Sequence, residues 1–354
     1  MSDLADSVAA RHAPAPAPAD ASVSAPAPAT GAPSAADLAA TSAELVETCR
    51  RIHDGVAGVL AGHDALIETT VAVLLAGGHL LVEDVPGVGK TTLAKALGRL
   101  VDARVGRIQF TPDLLPSDVT GVTIYRDAGA TASFHPGPVF ANIVIADEIN
   151  RASPKAQSAL LECMAERQVT VDGVTHALPR PFLVVATQNP IEMEGTYPLP
   201  EAQRDRFTAR LEVGYPSPEA ELRMLESRET ADPLDALVPV ADAAALERLG
   251  AAAQHVYTAV ALKQYVLALV TATRQHPLVR VGASPRASLQ LLAVTRALAA
   301  MRGRTYALPD DVQDLARVVL AHRLVLGAQA RIDGVSASQV VEQIVAATPV
   351  PTPA

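Results

Sequence analysis

The chain has 354 residues, and 29 Lys and Arg against 38 Asp and Glu leave a net charge of −9 at neutral pH. So acidic a balance argues against general binding to a phosphate backbone, which needs clustered cations. Two cysteines, Cys49 and Cys163, make neither a disulfide framework nor a thiolate zinc cluster. No uncharged apolar run reaches the ~18 residues of a membrane span; the best, Val71 to Val82, is short and contains His79. Because Met1-Ser2-Asp3-Leu4 offers neither a basic nor an apolar leader region, a cytoplasmic protein without signal peptide or membrane span is expected.

Residues 1–36 are dominated by Ala and Pro, with Pro-Ala repeats at 14–19 and 26–29. Such a stretch has almost no large apolar side chains to bury and is expected to be a disordered tail, as is 348–354. From about 79 to 214, short β-rich runs alternate with helical stretches: Leu80 to Val82, Val105 to Phe110, Ile143 to Ile145, Phe182 to Ala186 and Arg210 to Val213. Near-continuous apolar strands separated by helices predict an α/β fold with a parallel sheet covered on both faces. From Pro218 onward no strand-like run is found. Helical periodicity replaces it, as in Val312, Leu315, Ala316, Val319 and Leu320 behind the helix-opening Pro309-Asp310-Asp311. The expected division is therefore an α/β unit over 37–216 and an all-helical unit over 217–347.

The first strand runs into Glu83-Asp84-Val85-Pro86-Gly87-Val88-Gly89-Lys90-Thr91-Thr92 and then a helix. Strand, glycine loop, Lys-Thr and helix make a phosphate-binding loop. Pro86, Gly87, Val88 and Gly89 would bring backbone N–H groups around phosphate, Lys90 and the helix N-terminus add positive charge, and Thr91 can ligate Mg²⁺, with Thr92 beside it. The generic pattern wants glycine where Asp84 stands, so the Asp84 carboxylate is expected to point away or to cap the loop.

A second strand, Ile143 to Ala146, ends in Asp147-Glu148. Two acids at the end of a buried strand are costly unless paired or metal-bound. Beside a phosphate loop, Asp147 would hold Mg²⁺ and Glu148 would act as general base on water; alone, the pair could merely cap the helix opened by Ser153-Pro154. Another strand ends in Thr187-Gln188-Asn189-Pro190, where the Asn189 amide can orient water against a γ-phosphate, although Asn-Pro also starts turns. Arg206 could reach a neighbouring subunit's γ-phosphate, with Arg204 a second candidate; an ion pair with Asp205 or Glu201 is the plainer alternative. Arg286 follows the N-cap signature Ser284-Pro285. A cation in a first helical turn opposes the helix dipole, so an anion facing it is expected.

With these residues in place the chain resembles the MoxR family of AAA+ ATPases over about residues 52–345. The resemblance is carried by five stretches: 83–91, Gln109-Phe-Thr-Pro-Asp-Leu-Leu-Pro-Ser-Asp118, Ala146-Asp-Glu-Ile-Asn-Arg-Ala152, 186–203 and Gly282-Ala-Ser-Pro-Arg286. Asp84 is similar to what this family carries, whereas Arg204 stands where an apolar residue is expected. The resemblance implies a P-loop αβα core with five parallel strands and a helical lid, ATP and Mg²⁺ as cofactors, and a ring, a homo-hexamer. It implies Walker A at Gly87, Gly89, Lys90, Thr91 and Thr92, Walker B at Asp147 and Glu148, sensor 1 at Asn189, the arginine finger at Arg206 and sensor 2 at Arg286. It further implies chaperone-like remodelling of protein clients, often proteins with von Willebrand factor A domains.

Two other functions share these residues. A helicase-type nucleic-acid motor is disfavoured by the acidic balance, scarce aromatics and lack of a basic stripe. A non-hydrolysing nucleotide-dependent scaffold is disfavoured because both Asp147 and Glu148 are present. Phe134-His135-Pro136-Gly137-Pro138 could form a pore-facing insertion or simply a tight turn.

Overall fold

The computed structural model describes residues 35–83, 89–126, 131–189, 196–227 and 232–351. Of the expected tails over 1–36 and 348–354, residues 1–34 and 352–354 lie outside them, as do the loop residues Asp84, Val85, Pro86, Gly87 and Val88, whereas Ala35 and Ala36 already open the first helix. Helices α1 (Ala35–Val59) and α2 (Asp64–Leu75) precede β1 (Leu80–Glu83), α3 (Lys90–Leu100) and β2 (Val105–Gln109). There follow the short α4 (Pro116–Thr120), β3 (Gly121–Arg126), β4 (Thr131–Pro136), β5 (Ile143–Asp147) and α5 (Pro154–Glu166). Next come β6 (Gln168–Val171), β7 (Val174–Ala177), β8 (Leu183–Gln188), α6 (Glu201–Arg204) and β9 (Ala209–Leu211).

Five strands form one parallel sheet in the order β2-β5-β8-β1-β9. These are the five apolar runs read from the sequence. Alternation along each strand sends side chains to opposite faces. Leu80, Val82, Ile143, Ile145, Leu183, Val185 and Leu211 enter one core, shared with α1, α2 and α3; Leu81, Val144, Ala146, Val184 and Ala186 enter another, closed by α5. Each fully buried Leu, Ile or Val contributes about 1.5–3 kcal/mol of transfer free energy.

The remaining helices are α7 (Pro218–Ser227), α8 (Ala243–Ala253), α9 (Val260–Gln275), α10 (Pro285–Met301), α11 (Pro309–Leu320), α12 (Ala328–Ile332) and α13 (Ala337–Ala347). Val312, Leu315, Ala316, Val319 and Leu320 are all buried on α11, as their spacing predicts. Helices α9, α10, α11 and α13 share the first core with α1 and α2, so the N-terminal helices lie between the sheet and the lid.

Two expectations are corrected. The lid is not wholly helical: β10 (Val279–Val281) pairs antiparallel with β11 (Val325–Leu326). Strands of three and two residues are too short to show a period, and they pair across more than forty residues. The turn at Phe134 to Pro138 is not a turn throughout, because Phe134, His135 and Pro136 close β4, which pairs with β3. Phe134 stacks on His176 of the β6–β7 hairpin with ring centroids 4.1 Å apart. That contact joins two hairpins, which no local pattern reveals.

His79 precedes β1 and is buried. Its Nδ1 accepts from the Val184 amide at 3.1 Å and its Nε2 donates to the Met164 carbonyl at 3.2 Å. Burial pushes its pKa down to about 3. Burial likewise holds His322, whose Nε2 donates to the Phe207 carbonyl, well below 6.5. Below pH ~6.5 the unfolded chain binds protons that these folded imidazoles refuse, so stability falls as pH drops through that value. At pH 5 the expected loss from His79 alone is about 2 kcal/mol, with His322 adding in the same direction. Thermal unfolding followed from pH 7.5 to pH 5 should show Tm declining below pH 6.5, and a flat profile would contradict neutral burial.

Candidate nucleotide site

Helix α3 begins at Lys90 because Gly89 adopts a left-handed conformation, φ +95°, that turns strand-side backbone into the helix. A Cβ at Gly89 would also meet Leu60 Cδ1 at 2.6 Å. Gly89, Lys90, Thr91 and Thr92 line a cleft of about 490 Å³. Its opposite walls come from Val59, Leu60, Ala61 and His63 and from Tyr215, Pro216, Glu221 and Met224.

The five strands run parallel, so β1, β5 and β8 all end at this edge. Asp147, at the end of β5, is buried, and its Oδ1 accepts from Thr91 Oγ1 at 3.4 Å and from Thr187 Oγ1 at 3.3 Å. The phosphate-loop helix, the acidic strand and the amide-tipped strand are thus tied together at one oxygen. Asn189 follows β8 directly and is buried at the same edge. Glu148 takes a left-handed backbone, φ 57° and ψ 48°, costly for a residue with a side chain. Its amide donates to Thr187 Oγ1 at 3.0 Å, so one hydroxyl braces both acids.

Three residues that sequence reasoning missed hold the acids. Arg107 Nε lies 2.9 Å from Asp147 Oδ2. Gln109 Nε2 donates to Glu148 Oε2 at 3.0 Å, and Arg151 Nη1 stands 3.0 Å from the same oxygen. The register pairs Gln109 with Asp147 across β2 and β5, which brings Gln109 to Glu148. Arg107, Gln109 and Arg151 all lie in or beside motifs visible in the sequence; the neighbour relation of β2 and β5 is what a linear reading lacks. Two strands over, Glu83 accepts from Gln188 and pairs with Arg210 at 3.0 Å.

The residues present fit a nucleoside triphosphate with a divalent ion. A helix N-terminus and a lysine face the cleft, and a hydroxyl and a carboxylate oxygen stand close enough to share one ion directly or through water. No cluster of three or more His, Cys, Asp or Glu that could hold a metal occurs among the described residues.

Arg206 and Arg286 are brought together, but not to this cleft. Both line a second cavity of about 330 Å³ with Arg167, Gly77, Gly78 and His79. That cavity opens at the start of β1, whereas the phosphate loop follows its end, four residues or about 13 Å away along the strand. Within the described residues neither arginine has an acidic partner. The plainer alternative, pairing of Arg206 with Asp205 or Glu201, is not what the structure shows: Asp205 pairs with Arg323 at 2.9 Å. Ser284 does occupy the N-cap position of α10, yet its hydroxyl makes no cap bond.

Two family models match the chain: the ATPase family associated with various cellular activities (AAA) over residues 79–209, and the AAA lid domain over 271–344. A Bacillus subtilis protein named YeaC is 49% identical over 293 residues, covering 83% of this chain and 92% of its own length. Chaperone MoxR1 of Mycobacterium tuberculosis is 44% identical over 316 residues, covering 86% and 83% respectively. A crystal structure of a Cytophaga hutchinsonii protein superposes with a TM-score of 0.82 at 37% identity, covering 88% of this chain and 98% of that one. The phosphate-loop cleft, the parallel sheet, the helical lid and these relatives give one conclusion: the chain belongs to the MoxR family of AAA+ ATPases.

Proposed function

We propose that this ATPase binds ATP with Mg²⁺ in the cleft at Gly89–Thr92, hydrolyses it, and uses the turnover to remodel protein clients. The observation that carries the reading is the meeting of Thr91 and Asp147 at 3.4 Å, with Thr187 on the same carboxylate oxygen. When bound, ATP supplies the transferable phosphoryl group and Mg²⁺ neutralises its oxygens.

The chain's own residues divide the remaining work. Pro86, Gly87, Val88 and Gly89 contribute the loop, Lys90 the cation, and Thr91 and Asp147 the ion ligands, with Thr92 in the first turn. The apolar wall of Val59, Leu60, Tyr215 and Met224 suits a flat base. Glu148, once released from Gln109 and Arg151, accepts a proton from water, and Asn189 orients that water. Arg206 and Arg286 face away from their own cleft, which favours action on a neighbour's nucleotide in a ring, a homo-hexamer in this reading. Residues 37–216 form the catalytic unit and 217–347 the lid. A relative named a chaperone supports protein clients; proteins with von Willebrand factor A domains are the clients the family resemblance implies.

Lys90→Ala should weaken ATP binding by about 10- to 100-fold, read by fluorescent-nucleotide titration. Glu148→Gln should leave affinity intact while turnover falls at least about 100-fold; unchanged turnover would remove Glu148 as base. Arg206→Ala should cost about 10³-fold in turnover with little change in affinity. Mixing it with Glu148→Gln subunits should restore part of that loss, since each supplies what its neighbour lacks. Client engagement is checked by pull-down with the Glu148→Gln form and ATP; capture of no protein beyond the Lys90→Ala control would refute remodelling.

A further inference from the structure

We propose that Asp205 is a positioning residue that locks the Arg204–Arg206 turn to the start of α10, so that Arg206 and Arg286 are presented as one preset pair. This rests on the reading that the two arginines act on a neighbouring subunit's nucleotide.

The two oxygens of Asp205 do different jobs. Oδ1 accepts from Arg323 Nε at 2.9 Å, and Oδ2 accepts from Ser284 Oγ at 2.8 Å. Ser284 immediately precedes Pro285 and Arg286, so its bond fixes the N-terminus of α10 directly to the turn carrying Arg206. The hydroxyl is turned toward Asp205 and accepts no N-cap bond, which is ordinarily worth about 1 kcal/mol. A local rule broken in favour of a distant partner marks a tertiary use of the residue.

Arg323 completes the lock from the lid. Its side chain is 1% exposed and lies under the backbone of the turn. It donates to the carbonyls of Phe207 at 2.6 Å and Thr208 at 3.3 Å, and also to Val319 and the side chain of Gln290 on α10. Burial lowers its pKa to about 10, with Asp205 opposing and Arg286 reinforcing that shift, so Arg286 lies within electrostatic reach of the pair. A cation this buried needs its carboxylate. Gln203 Oε1, Arg204 Nε and His322 Nδ1 are buried without partners, and of these three side chains His322 alone is bonded to the turn, through Nε2 to the Phe207 carbonyl.

The result is a continuous link from α10 through Ser284, Asp205 and Arg323 to the entrance of β9. Misplacing a positioned group by about 1 Å can cost about 100-fold in rate, so a small slip at this link would be visible in turnover.

Asp205→Asn tests the proposal, because it keeps the volume and an acceptor for Ser284 while removing the charge opposite Arg323. Expected are a kcat reduced about 10- to 100-fold and a nucleotide affinity within about twofold of wild type. Hydrogen exchange on the nucleotide-free protein should show faster exchange over 205–209. Mixed with Glu148→Gln subunits, whose arginines are intact, Asp205→Asn should regain activity as Arg206→Ala does. Ser284→Ala is the milder companion and keeps the test valid if Asp205→Asn fails to fold; its kcat should fall about 3- to 10-fold at unchanged affinity. Wild-type turnover in the folded variants, or no recovery where Arg206→Ala recovers, overturns the positioning role alone. Failure of the Arg206→Ala mixture itself overturns the neighbour reading, and this proposal with it.

Discussion

The constraint on which the molecule depends is the common direction of its five central strands. Parallel pairing requires a crossover after each strand, and the crossovers cover both faces with helices. It also gives the sheet two unlike edges. Strand ends and helix starts collect at one, strand starts at the other. Backbone N–H groups, the Lys90 ammonium and the Asp147 and Glu148 carboxylates therefore gather where β1, β5 and β8 finish.

At that edge, charge is balanced before any ligand arrives. Asp147 is buried but is met by the Arg107 guanidinium and two threonine hydroxyls; Glu148 is met by Gln109 and Arg151. Unpaired, these acids would be costly so close to an apolar strand. Paired, they are stable yet exchangeable, since Arg107 is more than half exposed and a divalent ion can take its place beside Asp147. The left-handed backbone at Glu148 is sustained by the Thr187 hydroxyl, which ties strain at the site to the rigidity of β8.

The opposite edge carries positive charge with a different support. Arg206 and Arg286 come from segments eighty residues apart and share a cavity with Arg167, beside the buried His79. Like charges so placed repel one another, and what holds their segments is the buried Asp205–Arg323 pair together with Ser284. A subunit built this way has an acid-and-phosphate edge and an arginine edge on opposite ends of one sheet. In the ring proposed above, these two unlike surfaces would meet head to tail.

Sequence pattern alone determined the five core strands, the helix start at Lys90-Thr91-Thr92, the acidic pair at the end of β5, and the change to helices after Pro218. Each depends on near neighbours along the chain: apolar runs, glycine before Lys-Thr, a proline after a cap residue. The same pattern predicted a parallel sheet covered on both faces, which the family resemblance identified as a P-loop αβα core. The grip of Arg107, Gln109 and Arg151 on the acids needed the register of β2 against β5, and the β10–β11 ribbon needed the lid's own packing. The same holds for Arg286, whose helix position was legible while the cavity it lines was not. Ser284 shows the reason most clearly. Its local context specifies a cap, but its hydroxyl is decided by Asp205, seventy-nine residues earlier, because the fold alone brings that carboxylate within 2.8 Å.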